Sequence, residues 1–273
     1  MKKTIILIIF LVFYIGSSNA QKFYARIGVG ASAGTTSTLD MLYKYSYDGG
    51  NRTIRVVPVD LGSGMNGSVA FGFMPCKYVG FELAISKFIG FLSRGDSVMK
   101  MLGGVNSEAT VKANVLSLIP SVVVSAGLEK VNPYGRFGIM IGVLPVMRQF
   151  YKSERTSVHP PNEVEATHEY TGGVAIGFNA TGGVSFKVNN LISMFAELNF
   201  TGMSYSPTES DLIRYDINDV DQLPSLSTKQ KETIYLKKIN LDEQIPDTSP
   251  DKKLMKSYSL NSVGASFGIV FSF

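Results

Sequence analysis

The last nine residues, Ala265-Ser266-Phe267-Gly268-Ile269-Val270-Phe271-Ser272-Phe273, alternate large apolar side chains with small ones and stop on a phenylalanine. In an extended strand Phe267, Ile269, Phe271 and Phe273 share one face. Ser266, Gly268 and Ser272 share the other, with Val270 as the bulky exception. A strand whose outer side touches hydrocarbon needs such a row, whereas a strand in water would have to hide it.

The same period of two recurs along the chain. Strand candidates cover 23–33, 65–74, 78–89, 113–126, 134–144, 173–187 and 193–205, with the terminal one starting near 258. In the first, Phe23, Ala25, Ile27, Val29 and Ala31 oppose Tyr24, Arg26, Gly28, Gly30 and Ser32. Pro120 inside the fourth removes a ladder donor and predicts a bulge. Connections after the second, fourth and sixth candidates are short. Those after the first, third, fifth and seventh span 34–64, 90–112, 145–172 and 206–257. Eight strands with short turns on one side and long loops on the other predict an up-and-down barrel. The interior of such a barrel is only wide enough for side chains to fill, so it has no room for every Phe, Ile and Val of these rows. The apolar rows therefore face outward, and the Gly-, Ser- and Asn-rich rows face the lumen.

The amino terminus agrees. Lys2 and Lys3 precede an apolar run from Ile5 to Ile15, and Ser18 and Ala20 are small residues at the −3 and −1 positions of a cleavage site before Gln21. Residues 1–20 are expected to be a signal peptide, and 21–273 one exported domain. The run is shorter than the roughly 20 residues a spanning helix requires. Cys76 is the single cysteine, which excludes an intramolecular disulfide. The net charge of +4, which includes the two leader lysines, is too weak to suggest nucleic acid.

Four inward charges form a pattern. Arg26, Glu82, Arg136 and Glu197 lie on the first, third, fifth and seventh candidates at similar distances from the strand starts, which predicts a buried Arg/Glu layer across the lumen. Asn199, Thr201, Asn179 and Tyr134 are its expected partners. The layer is either an electrostatic plug or the narrow part of a polar channel. Outside the wall, Tyr43–Tyr47 and Arg52–Val57 flanking Asp48-Gly49-Gly50-Asn51 predict a hairpin. Ser227 with Gln230 predicts a short capped helix. His159 and His168 both fall in the third long loop beside Glu163, Glu165 and Glu169, away from every strand candidate, and no Gly-x-Ser-x-Gly elbow occurs. No catalytic residue, metal site or cofactor is expected.

Ser266 to Phe273 resembles the C-terminal β-signal of Gram-negative outer-membrane barrels: polar, any, glycine, any, any, aromatic, any, terminal aromatic. Ser266, Gly268, Phe271 and Phe273 fill the defined places. With the leader and the hairpin rhythm, the chain resembles the eight-stranded outer-membrane β-barrel family, the porin-like superfamily of OmpX-like, OmpW-like and OmpA-type barrels. The resemblance implies an all-β transmembrane antiparallel barrel in the outer membrane, surrounded by lipid and delivered by the barrel-assembly machinery reading its last strand. Members serve as adhesins, anchors or small-solute pores. The expectation is a non-enzymatic protein acting at the cell surface through loops 34–64 and 206–257, with a narrow passive pore for small or apolar solutes as the alternative. Unlike OmpA-type proteins, nothing in this sequence follows the last strand, so a peptidoglycan tether is not expected.

Overall fold

In the computed structural model, which describes residues 22–35, 37–48, 51–95, 105–155, 162–240 and 242–273, the alternating blocks become eight wall strands. These are β1 (Lys22–Gly34), β2 (Gly64–Met74), β3 (Val79–Gly90), β4 (Val105–Ser125), β5 (Val131–Arg155), β6 (Ala175–Lys187), β7 (Ile192–Tyr205) and β8 (Ser262–Ser272). Each pairs antiparallel with its neighbours, and β8 pairs back onto β1 from Tyr24↔Ser272 to Gly34↔Ser262, so the sheet closes without an edge. The wall faces out with its apolar rows: Phe71 and Leu198 are each 69% exposed and Phe267 is 65% exposed, while Arg26, Glu82, Arg136 and Glu197 are buried inside. This is the inverse of a water-soluble barrel and the pattern of one that sits in lipid. The leader and its cleavage site lie outside the described residues.

Two expectations need correction. Pro120 causes no bulge. It stands in register opposite Leu83, and although Ile119 and Pro120 make no bridge to β5, the flanking pairs Leu118↔Ile141 and Ser121↔Gly138 keep one register, so the missing N–H interrupts the ladder without shifting it. The register shift comes between Asn114 and Leu116, where β5 carries an extra residue around Leu144, whose φ is +53°. The shift has a clear effect. A one-residue slip exchanges the two faces of a strand. Below it Phe137, Ile139 and Val143 point out, and above it Met147 is buried while Arg148 is exposed.

The second correction concerns the long connections. β4 and β5 run on for 21 and 25 residues, so much of 90–112 and 145–172 is strand rather than loop. The upper half of β5 pairs with Asn162–Thr171, which pairs with Glu209–Ile217, which pairs with Glu232–Leu236. Asp251–Leu254 then adds in parallel. Positive φ at Gly172 (+70°) and Gly173 (+68°) lets the descending chain step from Asn162–Thr171 into β6. The result is an outer sheet continuous with one side of the barrel. The expected hairpin forms from Ser37–Asp48 and Asn51–Val59, with Tyr43↔Val56 through Asp48↔Asn51 in register. The expected short helix covers Thr228–Lys231, and the Ser227 amide donates to Gln230 Oε1 at 2.9 Å.

Candidate functional site

The four lumen charges meet in one ring. Arg26 Nη2 and Arg136 Nη1 both donate to Glu82 Oε1, at 2.9 and 2.8 Å. Arg26 Nη1 and Arg136 Nη2 both donate to Glu197 Oε1, each at 3.0 Å. Every side chain in this ring is at most 6% exposed. Two cations and two anions cancel, which lets the ring be buried at all, since an unpaired buried charge is far more costly than a matched set. Tyr24 donates to Glu82 Oε2 at 2.9 Å and Tyr134 donates to Glu197 Oε2 at 2.8 Å. Ser266, on the terminal strand, donates to Glu197 Oε1 at 2.9 Å.

Of the expected partners, Tyr134 touches the ring directly. Asn199 reaches it through Ser266 (2.6 Å) and through Thr181, which donates to Asn199 Oδ1 at 2.8 Å and to Asn179 Oδ1 at 3.1 Å, and Asn179 donates to Thr201 at 3.2 Å. Tyr24, Ser266 and Thr181, whose Oγ1 accepts from Arg136 Nη2 at 3.4 Å, were not expected as partners. A signal for them exists in the sequence: Tyr24-Ala25-Arg26-Ile27-Gly28 on β1 and Tyr134-Gly135-Arg136-Phe137-Gly138 on β5 share the spacing Tyr-x-Arg-x-Gly. The bonding is two-fold related, each strand matching the one four places on. β1 matches β5, and Glu82 on β3 matches Glu197 on β7. Gly72 on β2 matches Gly183 on β6, and both leave room for a tyrosine ring. A Cβ at Gly72 would come within 2.0 Å of Tyr24 Cζ, and one at Gly183 within 3.1 Å of Tyr134 Cζ.

On the turn side of the ring a vestibule of about 630 Å³ is lined by Tyr24, Tyr134, Lys22, Lys77, Lys187 and Glu129 among others. On the loop side a cavity of only about 70 Å³ separates the ring from Met140, Met203, Leu260 and Phe88. Above it the lumen is apolar, which the Gly-, Ser- and Asn-rich inward rows did not suggest. Val59 and Leu61 from the first connection and Tyr258 and Leu260 from the last are buried against Val115, Met147, Met203 and Tyr205. Backbone and side-chain bonds hold this lid to the rim. Asp60 Oδ1 accepts from the amides of Gly62 and Ser63 at 2.9 and 3.0 Å, the Gly34 amide donates to Ser63 Oγ at 2.9 Å, and the Met203 amide donates to Asn261 Oδ1 at 2.9 Å. An ion ring and an apolar lid thus close the lumen in series.

The C-terminal residues divide by face. Ser266 and Gly268 point inward, and a Cβ at Gly268 would come within 2.0 Å of the Ile27 carbonyl oxygen. Phe273 is 76% exposed, and its amide donates to the Phe23 carbonyl at 2.8 Å. Phe271 lies between, paired with Ala25 and Ile192.

The outer sheet carries the remaining titratable clusters. Lys152 bonds Glu163 and Glu165, Arg148 bonds Glu169 at 2.5 Å, and Arg214 bonds Asp216 at 2.7 Å. The Asp211 carboxyl is raised by partial burial and by Glu232 and Glu169 beside it. His168 is lowered, first by burial and then by Lys253, and its cross-strand partners are Gln149 and Leu212. His159 lies outside the described residues. No group of three or more metal-ligating side chains converges among the described residues.

No protein-family description matches the chain. No curated protein matches it in sequence either. Among solved structures it is similar to the attachment invasion locus protein Ail of Yersinia pestis at 9% identity, covering 92% of this chain and 98% of that one with a TM-score of 0.32. It is similar to Neisserial surface protein A at 9% identity, 89% and 95% coverage and a TM-score of 0.31. It is also similar to the outer-membrane protease OmpT of Escherichia coli at 8% identity, 94% and 97% coverage and a TM-score of 0.28. At such values no residue role and no activity carries over.

Proposed function

Because the chain is an eight-stranded β-barrel of the outer-membrane type, closed inside and apolar outside, we propose that it is a non-catalytic integral protein of the outer membrane that works through its outer sheet and loops. The observation that carries this reading is the double closure of the lumen. The Arg26–Glu82–Arg136–Glu197 ring and the Val59–Leu61–Leu260 lid leave only about 70 Å³ between them, room for a few waters. The chain instead builds its largest non-wall structure above the barrel: the sheet from β5 to Asp251–Leu254 and the Ser37–Val59 hairpin. The parts of it within 34–64 and 206–257 are where a surface partner would bind. Lipid covers the apolar wall. The barrel-assembly machinery is the partner of β8, with Gly268 and the Phe271–Phe273 end as its contacts.

Planar-bilayer recording of the full chain tests it. The expected trace is silent at moderate voltage for the wild type. Steady ohmic steps that change with Glu82→Gln would overturn the closed-barrel reading and favour a narrow solute pore.

A further inference from the structure

Outward charge on the barrel wall is confined to three adjacent strands. The outward rows of β1, β2, β6, β7 and β8 hold only apolar or small residues: Phe23 to Ala33, Met65 to Phe73, Ile176 to Phe186, Met194 to Ser204 and Val263 to Phe271 at alternate positions. By contrast, Lys87 on β3, Lys112 on β4 and Arg148 on β5 all project outward, and farther up β4 and β5 Glu108 stands opposite Lys152 on the same face. Lys87 is exposed between Ile85 and Ile89, which are 54% and 56% exposed. A lysine on the lipid face is costly at the bilayer midplane and tolerable only where its ammonium can reach the interface. Gly67, its cross-strand neighbour, has open space where a side chain would stand, so the lysine stem has room to bend.

Lys112 and Arg148 stand directly opposite one another on the same face. Like charges in that position repel unless an anion lies between them. Arg148 spends its Nε on Glu169, and Lys112 lies 5.4 Å from the centre of the Phe150 ring. Below this pair the wall is apolar, with Phe91, Leu118 and Val143 exposed. Beyond it the same cross-strand row turns acidic, from Glu169 to Asp211 to Glu232. The cationic patch is therefore bounded by hydrocarbon-facing residues beneath and by carboxylates to one side.

We infer that Lys87, Lys112 and Arg148 form a site for the phosphorylated headgroup of an outer-leaflet lipid whose acyl chains lie on the apolar wall of β3–β5. Phosphate between Lys112 and Arg148 removes their repulsion, and Lys87 reaches the same headgroup from below. The asymmetry of the wall orders one lipid on one side of the barrel. This inference rests on the outer-membrane reading.

The test uses the full chain inserted in phosphatidylcholine nanodiscs doped with diphosphorylated lipid A or with its dephosphorylated form, and counts retained lipid by native mass spectrometry. The wild type is expected to retain the phosphorylated form. Lys112→Gln/Arg148→Gln should reduce retention roughly tenfold or more, and Lys87→Gln by a smaller factor. Lys152→Gln, which removes a lysine already bound by Glu163 and Glu165, should leave it unchanged. Heat-modifiability on gels checks that each variant is folded. Equal retention by wild type and double variant, equal retention of the dephosphorylated lipid, or full displacement by millimolar inorganic phosphate would each overturn the site. A chain that fails to insert at all would instead refute the membrane reading beneath it.

Discussion

The ion ring makes the sharpest demand on experiment. Glu82→Gln removes one of two anions that between them hold two guanidiniums at 2.8–3.0 Å. Glu197 then faces both cations alone, and a net positive charge is left where side chains are at most 6% exposed. Breaking a buried pair from one side costs about 3–5 kcal/mol, most of it from the stranded partner rather than the lost bond. Removing a matched pair should cost less. In Glu82→Leu/Arg136→Met the contact of Arg26 with Glu197 at 3.0 Å survives and the lumen stays neutral. The double variant is therefore expected to be more stable than either of its single parents, and the coupling energy in a double-mutant cycle to be about 2 kcal/mol or more in favour of the pair. The two-fold bonding adds a condition: Glu82→Gln and Glu197→Gln should agree within about 1 kcal/mol, with Glu197→Gln the costlier because Ser266 also donates to it. Urea unfolding in detergent micelles, followed by heat-modifiability and by tyrosine fluorescence, reads each of these variants and the two single parents of the double. Single variants that unfold within about 1 kcal/mol of wild type, or a double variant whose cost equals the sum of the singles, would refute the argument from stranded charge.

Three further outcomes are expected. Asp211→Asn should stabilise the outer sheet by a few tenths of a kcal/mol at neutral pH by relieving its row with Glu169 and Glu232, a small change typical of facing like charges. Because the folded state holds the Asp211 proton more tightly than the unfolded one, that gain should fade as pH falls through the carboxylate range, and thermal melts at pH 7 and pH 3 check it. His168 is lowered in the fold, so the unfolded strand takes its proton first. The outer sheet should lose stability as pH drops below about 6.5 and be indifferent to pH above it. Hydrogen exchange across Asn162–Thr171 at pH 7.5 and 5.5, corrected for intrinsic rates, would contradict this if protection were equal, and His168→Gln should abolish any difference. Gly268→Val places a Cβ against the Ile27 carbonyl and Gly28 Cα, 2.0 and 2.7 Å away, at the seam where β8 meets β1, so the barrel should fail to close. A heat-modifiable, folded Gly268→Val band would disprove it.

Much of this was legible without coordinates because a membrane-facing sheet imposes period two on every wall strand. Phe23 to Ala33 and Val263 to Phe271 announce their faces residue by residue, and the inward charges Arg26, Glu82, Arg136 and Glu197 stand out against glycine and serine. The hairpin at Asp48–Asn51 and the Ser227 cap were equally local. The bulge was misplaced because a missing donor at Pro120 interrupts the ladder to β5 without shifting its register. Leu144 carries no such local mark. The upper parts of β4 and β5 read as loop because above the membrane both faces of a strand meet protein or water. Lys112, Arg148 and Lys152 then interrupt the apolar row.

The lid was invisible for a different reason. Val59, Leu61, Tyr258 and Leu260 are buried by residues on other connections, and no periodicity within either segment records that meeting. The sequence alone determined the wall, its inside and outside, and the charges that had to meet, since alternation and burial cost act strand by strand. Which oxygen each guanidinium shares, the two-fold match of Tyr24 with Tyr134, and the lid that shuts the loop side were decided only in three dimensions. Each depends on the register of strands far apart in the chain, and register is fixed when the barrel closes.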